Sequence, residues 1–357
     1  MANINISTIE YEVDLVVETY NAFRLGGAVL DLHWEEHKGE LAQRATMVLA
    51  NCRLENADTM LFAVMKINCG IQIWARWNGE GRQRVFDGTI WEWQYTNDTQ
   101  REIRIVAYDR LIRLRQSKDF KYYNWGMTTR QIVNDICSTW GIPFAYTWNQ
   151  DRVNPKLVYS GMELSDILLE VLDRASNETG VPYVVYWRDG RMEIRDIGLN
   201  QPGYIFDEPV TVSTYDNLHI NNLVTRVAVL ATQDNDGREA LEAWVDGDTS
   251  FGVLQKIVRR NTNDSLDFAI RDAVQLIKER GRPEETVQVT APDVPFLRKG
   301  DKVEMAAGNL KGYFLVEGVS HFGTTRQMDM VLARFERKTQ NVGYTIGPDG
   351  RYRVVWN

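Results

Sequence analysis

The string His33-Trp34-Glu35-Glu36-His37 has the H-x-x-E-H spacing in which two histidines one helical turn apart bind zinc beside a catalytic glutamate. That chemistry requires a helix. Val29, Leu30, Leu32 and Trp34 instead run into Lys38-Gly39-Glu40, which reads as a strand ending at a turn. In a strand the two histidines stand about 13 Å apart, too far to share a metal. The expectation is therefore two solvent-facing histidines beside a loop, with assembly unchanged when Glu36 or His33 is replaced by Ala. His219 and His321 have no cysteine or acidic pair at ligand spacing and are expected to be hydrogen-bonded structural or interface residues. Cys52, Cys69 and Cys137 are too scattered for a disulfide framework or a CxxC site and read as small buried hydrophobes. The phosphate-cradling strings G-x-x-x-x-G-K-[ST] and G-x-G-x-x-G are missing, as is the nucleophile elbow G-x-S-x-G, so nucleotide and serine chemistry lack support. No catalytic, cofactor-binding or metal-ligating residue is expected.

Glycoside hydrolysis needs only two carboxylates at the right separation, and tryptophans stack sugars, so a cell-wall or glycan hydrolase is the alternative from another class, with a carbohydrate-binding module as a third. The 11 tryptophans argue against a single groove, because Trp34, Trp74, Trp91, Trp125, Trp148, Trp187, Trp244 and Trp356 spread along almost the whole chain. Packing in cores and interfaces is the better use for them. A net charge of −8, from 49 acidic and 41 basic residues, excludes tight gripping of nucleic acid, whose affinity comes from Lys and Arg displacing counterions.

The elements that would position such residues follow from periodicity. With 357 residues, 44% hydrophobic and 25% charged, the chain has room for two or three ordinary globular domains. The longest apolar run, Met60 to Met65, is far too short to cross a bilayer, and the acidic start Met1 to Leu15 does not read as a leader. From Ala28 to Asp109 apolar residues recur with period two, as in Ile71-Gln72-Ile73-Trp74-Ala75 and Ile103-Arg104-Ile105, which predicts strands and a strongly curved sheet. Gly88 interrupts the Val85 to Tyr95 strand, which marks a bulge or a close backbone approach. Thr128 with Gln131 has capping-box spacing and starts one helix, a Leu164 to Ala175 stripe forms a second, and Asp189-Gly190 is a hairpin turn. Alternation returns from Asn222, interrupted by a Leu266 to Ile277 helical stripe, and Gly347 to Gly350 turns a C-terminal hairpin. The expected domains are residues 1–115, 116–200, 201–340 and a 341–357 extension. Phe86-Asp87-Gly88 and Val316-Glu317-Gly318 also make a faint internal echo between the two β blocks.

An ordered series of segments resembles the XkdQ/YqbQ-type baseplate hub of contractile phage tails and tail-like particles. Trp34-Glu35, Phe86-Asp87-Gly88-Thr89-Ile90 and Ala107-Tyr108-Asp109-Arg110-Leu111 resemble that family's first barrel and its exit. Thr128 to Ile142, Leu164 to Thr179 and the Val184 to Arg195 hairpin resemble its middle insert. Asn222 to Val229, Phe251 to Gln255, Leu297-Arg298-Lys299-Gly300-Asp301 and Gly312 to His321 resemble the second barrel. The motif positions are Phe86, Gly88, Tyr108, Asp109, Gly300, Asp301, Gly318 and His321; residues before Ala28 and after Gln340 lie outside the resemblance.

The resemblance implies an α+β, mainly β fold, with two tail-tube-like β-barrel domains flanking a small α/β domain. It implies a non-enzymatic homotrimer that adapts a sixfold tail tube to a threefold spike, made in a host bacterial cytoplasm and carried in the virion tail baseplate. The implied partners are the tail tube protein, spike protein, tape measure protein and other baseplate proteins. DNA would be a non-specific passenger in the channel, and neither a cofactor nor membrane insertion is implied.

Overall fold

The computed structural model describes residues 9–18, 21–54, 59–77, 81–96, 101–200, 203–208, 210–231, 237–260, 265–335 and 342–356. They divide into two compact units, residues 1–215 with 287–335, and residues 216–286 with 336–357.

In the first unit the period-two pattern makes strands with one buried face. Leu32 and Trp34, Ala45, Met47 and Leu49, Ile71 and Ile73, and Ile103, Ile105 and Ala107 all turn inward on their strands. With Phe86 and Ile90 they form the core of the first β block. Neighbouring antiparallel strands follow the order Asn21–Arg24, Glu10–Glu18, Gly70–Arg76, Gln83–Tyr95, Glu102–Tyr108, Arg44–Ala50, Val29–His37. The next neighbour is Leu310–Phe322, followed by Gln327–Arg334 and Glu284–Pro292.

Leu310–Phe322 changes partners along its length. Its first half pairs with Lys302–Ala307, and past Gly318 the same edge pairs with His33–His37. A register shift between Val316 and Gly318 marks the change, since a bulge re-aims a strand. The second β block has its own core of Phe206, Val289, Leu297, Met305, Phe314 and Val319. Sequence reading expects two tail-tube-like β-barrel domains. Among the described residues the strand order traces no closed barrel, and the two blocks are hydrogen-bonded to each other in one continuous sheet.

Gly88 lies inside the unbroken strand Gln83–Tyr95, whose irregularities fall at Val85 and between Ile90 and Glu92. The residue marks a close approach and not a bulge: a Cβ there would overlap the Tyr108 carbonyl and the Phe86 ring.

The insert of the first unit packs two helices on two small sheets. Thr129–Thr139 starts with the capping box, the Gln131 amide donating to Thr128 Oγ1 (3.3 Å) and the Thr128 amide to Gln131 Oε1 (2.9 Å). Leu164–Thr179 ends at Gly180 in the left-handed region (φ +70°). Tyr183–Arg188 and Arg191–Asp196 form the hairpin at Asp189-Gly190, with positive φ at both turn residues. Lys118–Tyr123 pairs with Leu157–Glu163 in a separate two-stranded sheet. Ile132, Ile136, Trp148, Leu168, Leu172 and Ile194 belong to the shared core.

The second unit is a five-stranded sheet of Gln255–Arg259, Arg226–Leu230, Leu241–Asp246, Tyr352–Trp356 and Val342–Ile346, with the helix Leu266–Arg280. Ser265 caps that helix, and Ala269, Ile270, Ala273 and Ile277 meet Val227, Val229 and Val245 in its core. The helix that interrupts the second β block in sequence thus shares a unit with the C-terminal hairpin. No helix among the described residues is long and apolar enough to cross a membrane.

Gly88→Ala is expected to destabilise the protein by about 1–3 kcal/mol, because backbone on the opposing strand cannot yield to the methyl group. Gly27→Ala, where a Cβ meets nothing, is the control that leaves the urea midpoint unchanged.

Candidate functional site

The alternation that buries Leu32 and Trp34 also turns Glu36 inward, to 1% exposure. A carboxylate at a core position needs a cation, and the loop before Lys302–Ala307 supplies one. Arg298 grips Glu36 with two bonds, Nη2 to Oε2 at 2.7 Å and Nε to Oε1 at 3.0 Å, and the Lys299 amide donates to Oε1 at 2.9 Å. The third guanidinium nitrogen donates to the Trp187 carbonyl (2.9 Å), and the guanidinium lies over the Tyr186 ring, 4.4 Å from its centre. One arginine thus ties the first β block, the second β block and the insert together.

The rest of the loop completes the seam. Lys299 Nζ donates to the Glu40 carbonyl at 2.5 Å. Gly300 needs its positive φ (+82°) and its missing side chain, since a Cβ would meet the Val184 side chain at 2.8 Å. Its amide donates to the Val316 carbonyl and its carbonyl accepts from Gly198, both at 2.7 Å. Asp301 accepts from the Arg298 amide at 2.9 Å and faces Arg195 at 3.6 Å. Close by, Asp109 accepts the amides of Gln43 and Leu111, each at 2.9 Å, which fixes the exit of the first block.

Burial sets the protonation of these groups, modified by their partners. Burial raises the Glu36 carboxyl, but the Arg298 charge and hydrogen bonds outweigh it, so the net shift is downward. Burial pushes Asp109 up to about 7 and Asp301 up to about 6, against their hydrogen bonds and nearby cations. The Lys299 ammonium is lowered, again mainly by burial.

A second buried group lies along the same sheet. His321, 2% exposed, holds Asp293 Oδ1 through Nδ1 (2.7 Å) and faces the Leu297 carbonyl with Nε2 (3.2 Å). Tyr11 donates its hydroxyl to the other Asp293 oxygen, and Trp34 stacks on the His321 ring at 4.7 Å. Burial and the Asp293 charge raise the Tyr11 phenol.

Of the motif positions, Asp109, Gly300 and Asp301 gather around Arg298 and Lys299. Gly318 and His321 sit in the shared ladder, opposite His37 and Trp34. Phe86 is in the first core, and Gly88, opposite Ile71 in register, lies close against the Tyr108 carbonyl.

Sequence reading missed Glu36, Arg298, Lys299, Asp293 and Tyr11 as partners. The signal for Glu36 was present, because period two places it in line with Leu32 and Trp34. Glu36 is buried against Arg298, so its replacement by Ala would leave that guanidinium without its carboxylate. Nor are the two histidines free in solvent: His33 stacks on Phe322 at 4.8 Å, and His37 bonds Glu35 at 3.4 Å. That His37 bond, ahead of the opposing burial and with Arg44 adding to it, holds Glu35 down to about 2. Among the described residues no three His, Cys, Asp or Glu side chains cluster as a metal site.

This mainly β sheet with its inserted α/β layer is the fold of phage tail proteins. The tail protein from Neisseria meningitidis MC58 superposes with a TM-score of 0.66 at 14% identity, covering 91% of this chain and 96% of that one. The 43 kDa tail protein of prophage MuSo2 from Shewanella oneidensis also gives 0.66, at 12% identity over 92% and 98% of the two chains. The E. coli c3393 protein, a type VI secretion component with structural similarity to the bacteriophage T4 tail proteins gp27 and gp5, gives 0.51 at 14% identity over 92% and 85%. No curated protein matches the chain by sequence. The YQBQ-like family matches residues 33–333, and the chain belongs to that family.

Glu36→Gln and Arg298→Ala are each expected to cost about 3–5 kcal/mol in chemical denaturation, since each leaves a buried charge or its partner unmatched. The double variant Glu36→Leu/Arg298→Met should recover part of that loss, read as a denaturation midpoint between those of the single variants and wild type.

A raised carboxyl destabilises the folded state once the unfolded chain has released its proton. Stability is therefore expected to fall as pH rises from 3.8 toward about 6 for Asp301 and about 7 for Asp109. Asp301→Asn, which keeps an oxygen for the Arg298 amide, should flatten the lower part of that slope in urea midpoints taken across pH.

Proposed function

We propose that the chain is the structural hub of a contractile phage tail or tail-like particle. In this reading three copies form a ring that adapts a sixfold tail tube to a threefold spike. The observation that carries it is the shared ladder between His33–His37 and Gly318–Phe322, which makes two β blocks one body. Three such bodies would offer six tube-like modules in alternation, with residues 1–115 and 201–340 supplying one each and 116–200 lying between them. Family membership and the likeness to tail proteins support this assignment.

The tail tube protein, spike protein, tape measure protein and other baseplate proteins are the partners in this reading, and the virion tail baseplate is its location. Three copies together carry −24, three times the −8 of one chain, which would let DNA pass without adhering. The role is structural and not enzymatic. No observation favours the hydrolase alternative: the carboxyls pushed upward, Asp109 and Asp301, are sealed in the seam and held by backbone amides.

Light scattering of the purified chain should give three times the chain mass, with ring particles in electron micrographs that cap tubes of the cognate tube protein. A single-chain species that degrades peptidoglycan overturns the proposal.

A further inference from the structure

The insert holds an open cleft between a helix and a strand. On Thr129–Thr139, Arg130 and Asn134 stand one turn apart and share an exposed side with Gln131. Across from them runs Phe144–Tyr146, the edge strand of a three-stranded sheet, whose Phe144 and Tyr146 lie two residues apart and so point to one side. Both rings pack in part on the insert core, and the Tyr146 hydroxyl donates to the Gln150 carbonyl (2.7 Å). With Asp151 these residues line a cleft of about 620 Å³, inside the roughly 300–1,000 Å³ of small-molecule sites.

The polar groups of the cleft are largely unused. The Arg130 guanidinium lies over the Tyr146 ring, 4.6 Å from its centre. Gln131 gives Oε1 to the Thr128 amide and keeps its Nε2, and Asp151 gives one oxygen to the Arg130 amide (2.9 Å) and keeps the other. Among the described residues the Asn134 side-chain amide has no hydrogen-bond partner. Burial raises the Tyr146 phenol, the Asp151 charge adds to that and the Arg130 charge opposes it, so both signs of charge border one ring.

That set selects a ligand class. A phosphate or carboxylate would gain Arg130 but face Asp151, and an ammonium would meet the reverse. Extended peptides are held by main-chain groups at a sheet edge, whereas the free groups named here are side chains. A hydroxyl both donates and accepts, so it suits a guanidinium, an amide and a carboxylate alike. A carbon ring bearing several hydroxyls also has apolar C–H faces to set against two aromatic side chains.

We propose that this cleft binds a neutral saccharide, with Arg130, Gln131, Asn134 and Asp151 holding its hydroxyls against Phe144 and Tyr146. The site lies within one chain and stands whether or not three copies assemble.

Binding is read by isothermal titration of the full chain with chitotriose and with maltotriose. At least one should bind saturably, at one site per chain. Arg130→Ala/Asn134→Ala should weaken it by about tenfold or more, with an unchanged circular dichroism spectrum because both side chains stand in solvent. Tyr146→Phe keeps the ring and should stay within about twofold of wild type. Tyr122→Ser/Trp125→Ser, which removes exposed aromatics elsewhere in the insert, should bind as wild type. Flat titrations with both sugars overturn the proposal, as does binding that survives Arg130→Ala/Asn134→Ala or is lost in Tyr122→Ser/Trp125→Ser. Saturable binding of sodium phosphate or tri-alanine in place of the sugars, lost in Arg130→Ala/Asn134→Ala, overturns the ligand class.

Discussion

A bidentate ion pair sealed from water is the constraint around which the first unit is arranged. Glu36 and Arg298 lie 262 positions apart in sequence, and neither tolerates burial without the other. Once paired, the geometry of the guanidinium dictates its surroundings. Its remaining donor selects the Trp187 carbonyl and its flat face selects Tyr186, so the insert hairpin is placed by the same group that joins the two β blocks. Hydrophobic burial supplies the driving force in the cores on either side. Apolar contacts are non-directional and would accept several rotations of one block on another, whereas a planar fork accepts one.

The His321–Asp293–Tyr11 group applies the same logic further along the sheet. Four side chains, counting Trp34, come from the N-terminal strand, the first block and the second block. Tyr11 and His321 each engage one oxygen of the buried Asp293 carboxylate. The fold therefore fixes the relation of its two β blocks twice, with a main-chain ladder between the two points.

What could be read from the residues divides along a physical line. Local chemistry was legible: Thr128 with Gln131 makes a capping box, Asp189-Gly190 makes a two-residue turn, and period two picks out the inward faces of the strands. Gly88 was legible as an anomaly, though only the structure distinguishes a close approach from a bulge. Pairing at long range was not legible. Alternation says which side of a strand faces a core and nothing about which strand lies beside it. The partner change along Leu310–Phe322, and hence the joining of the two β blocks by one ladder, left no periodic trace. Glu36 falls between these cases, since its inward position follows from its neighbours and its partner follows from nothing nearby.

The long separation of Glu36 from Arg298 has a consequence for biosynthesis. At about 5–20 residues per second, a ribosome finishes Val29–His37 roughly 10–50 s before Arg298 is made. During that interval one edge of the strand has no neighbour, the kind of exposed template on which nascent chains stick to one another. An inward-pointing carboxylate repels such unwanted pairing, because it cannot be buried against an apolar stranger. The residue that later locks the joint thus guards it while the polypeptide is incomplete.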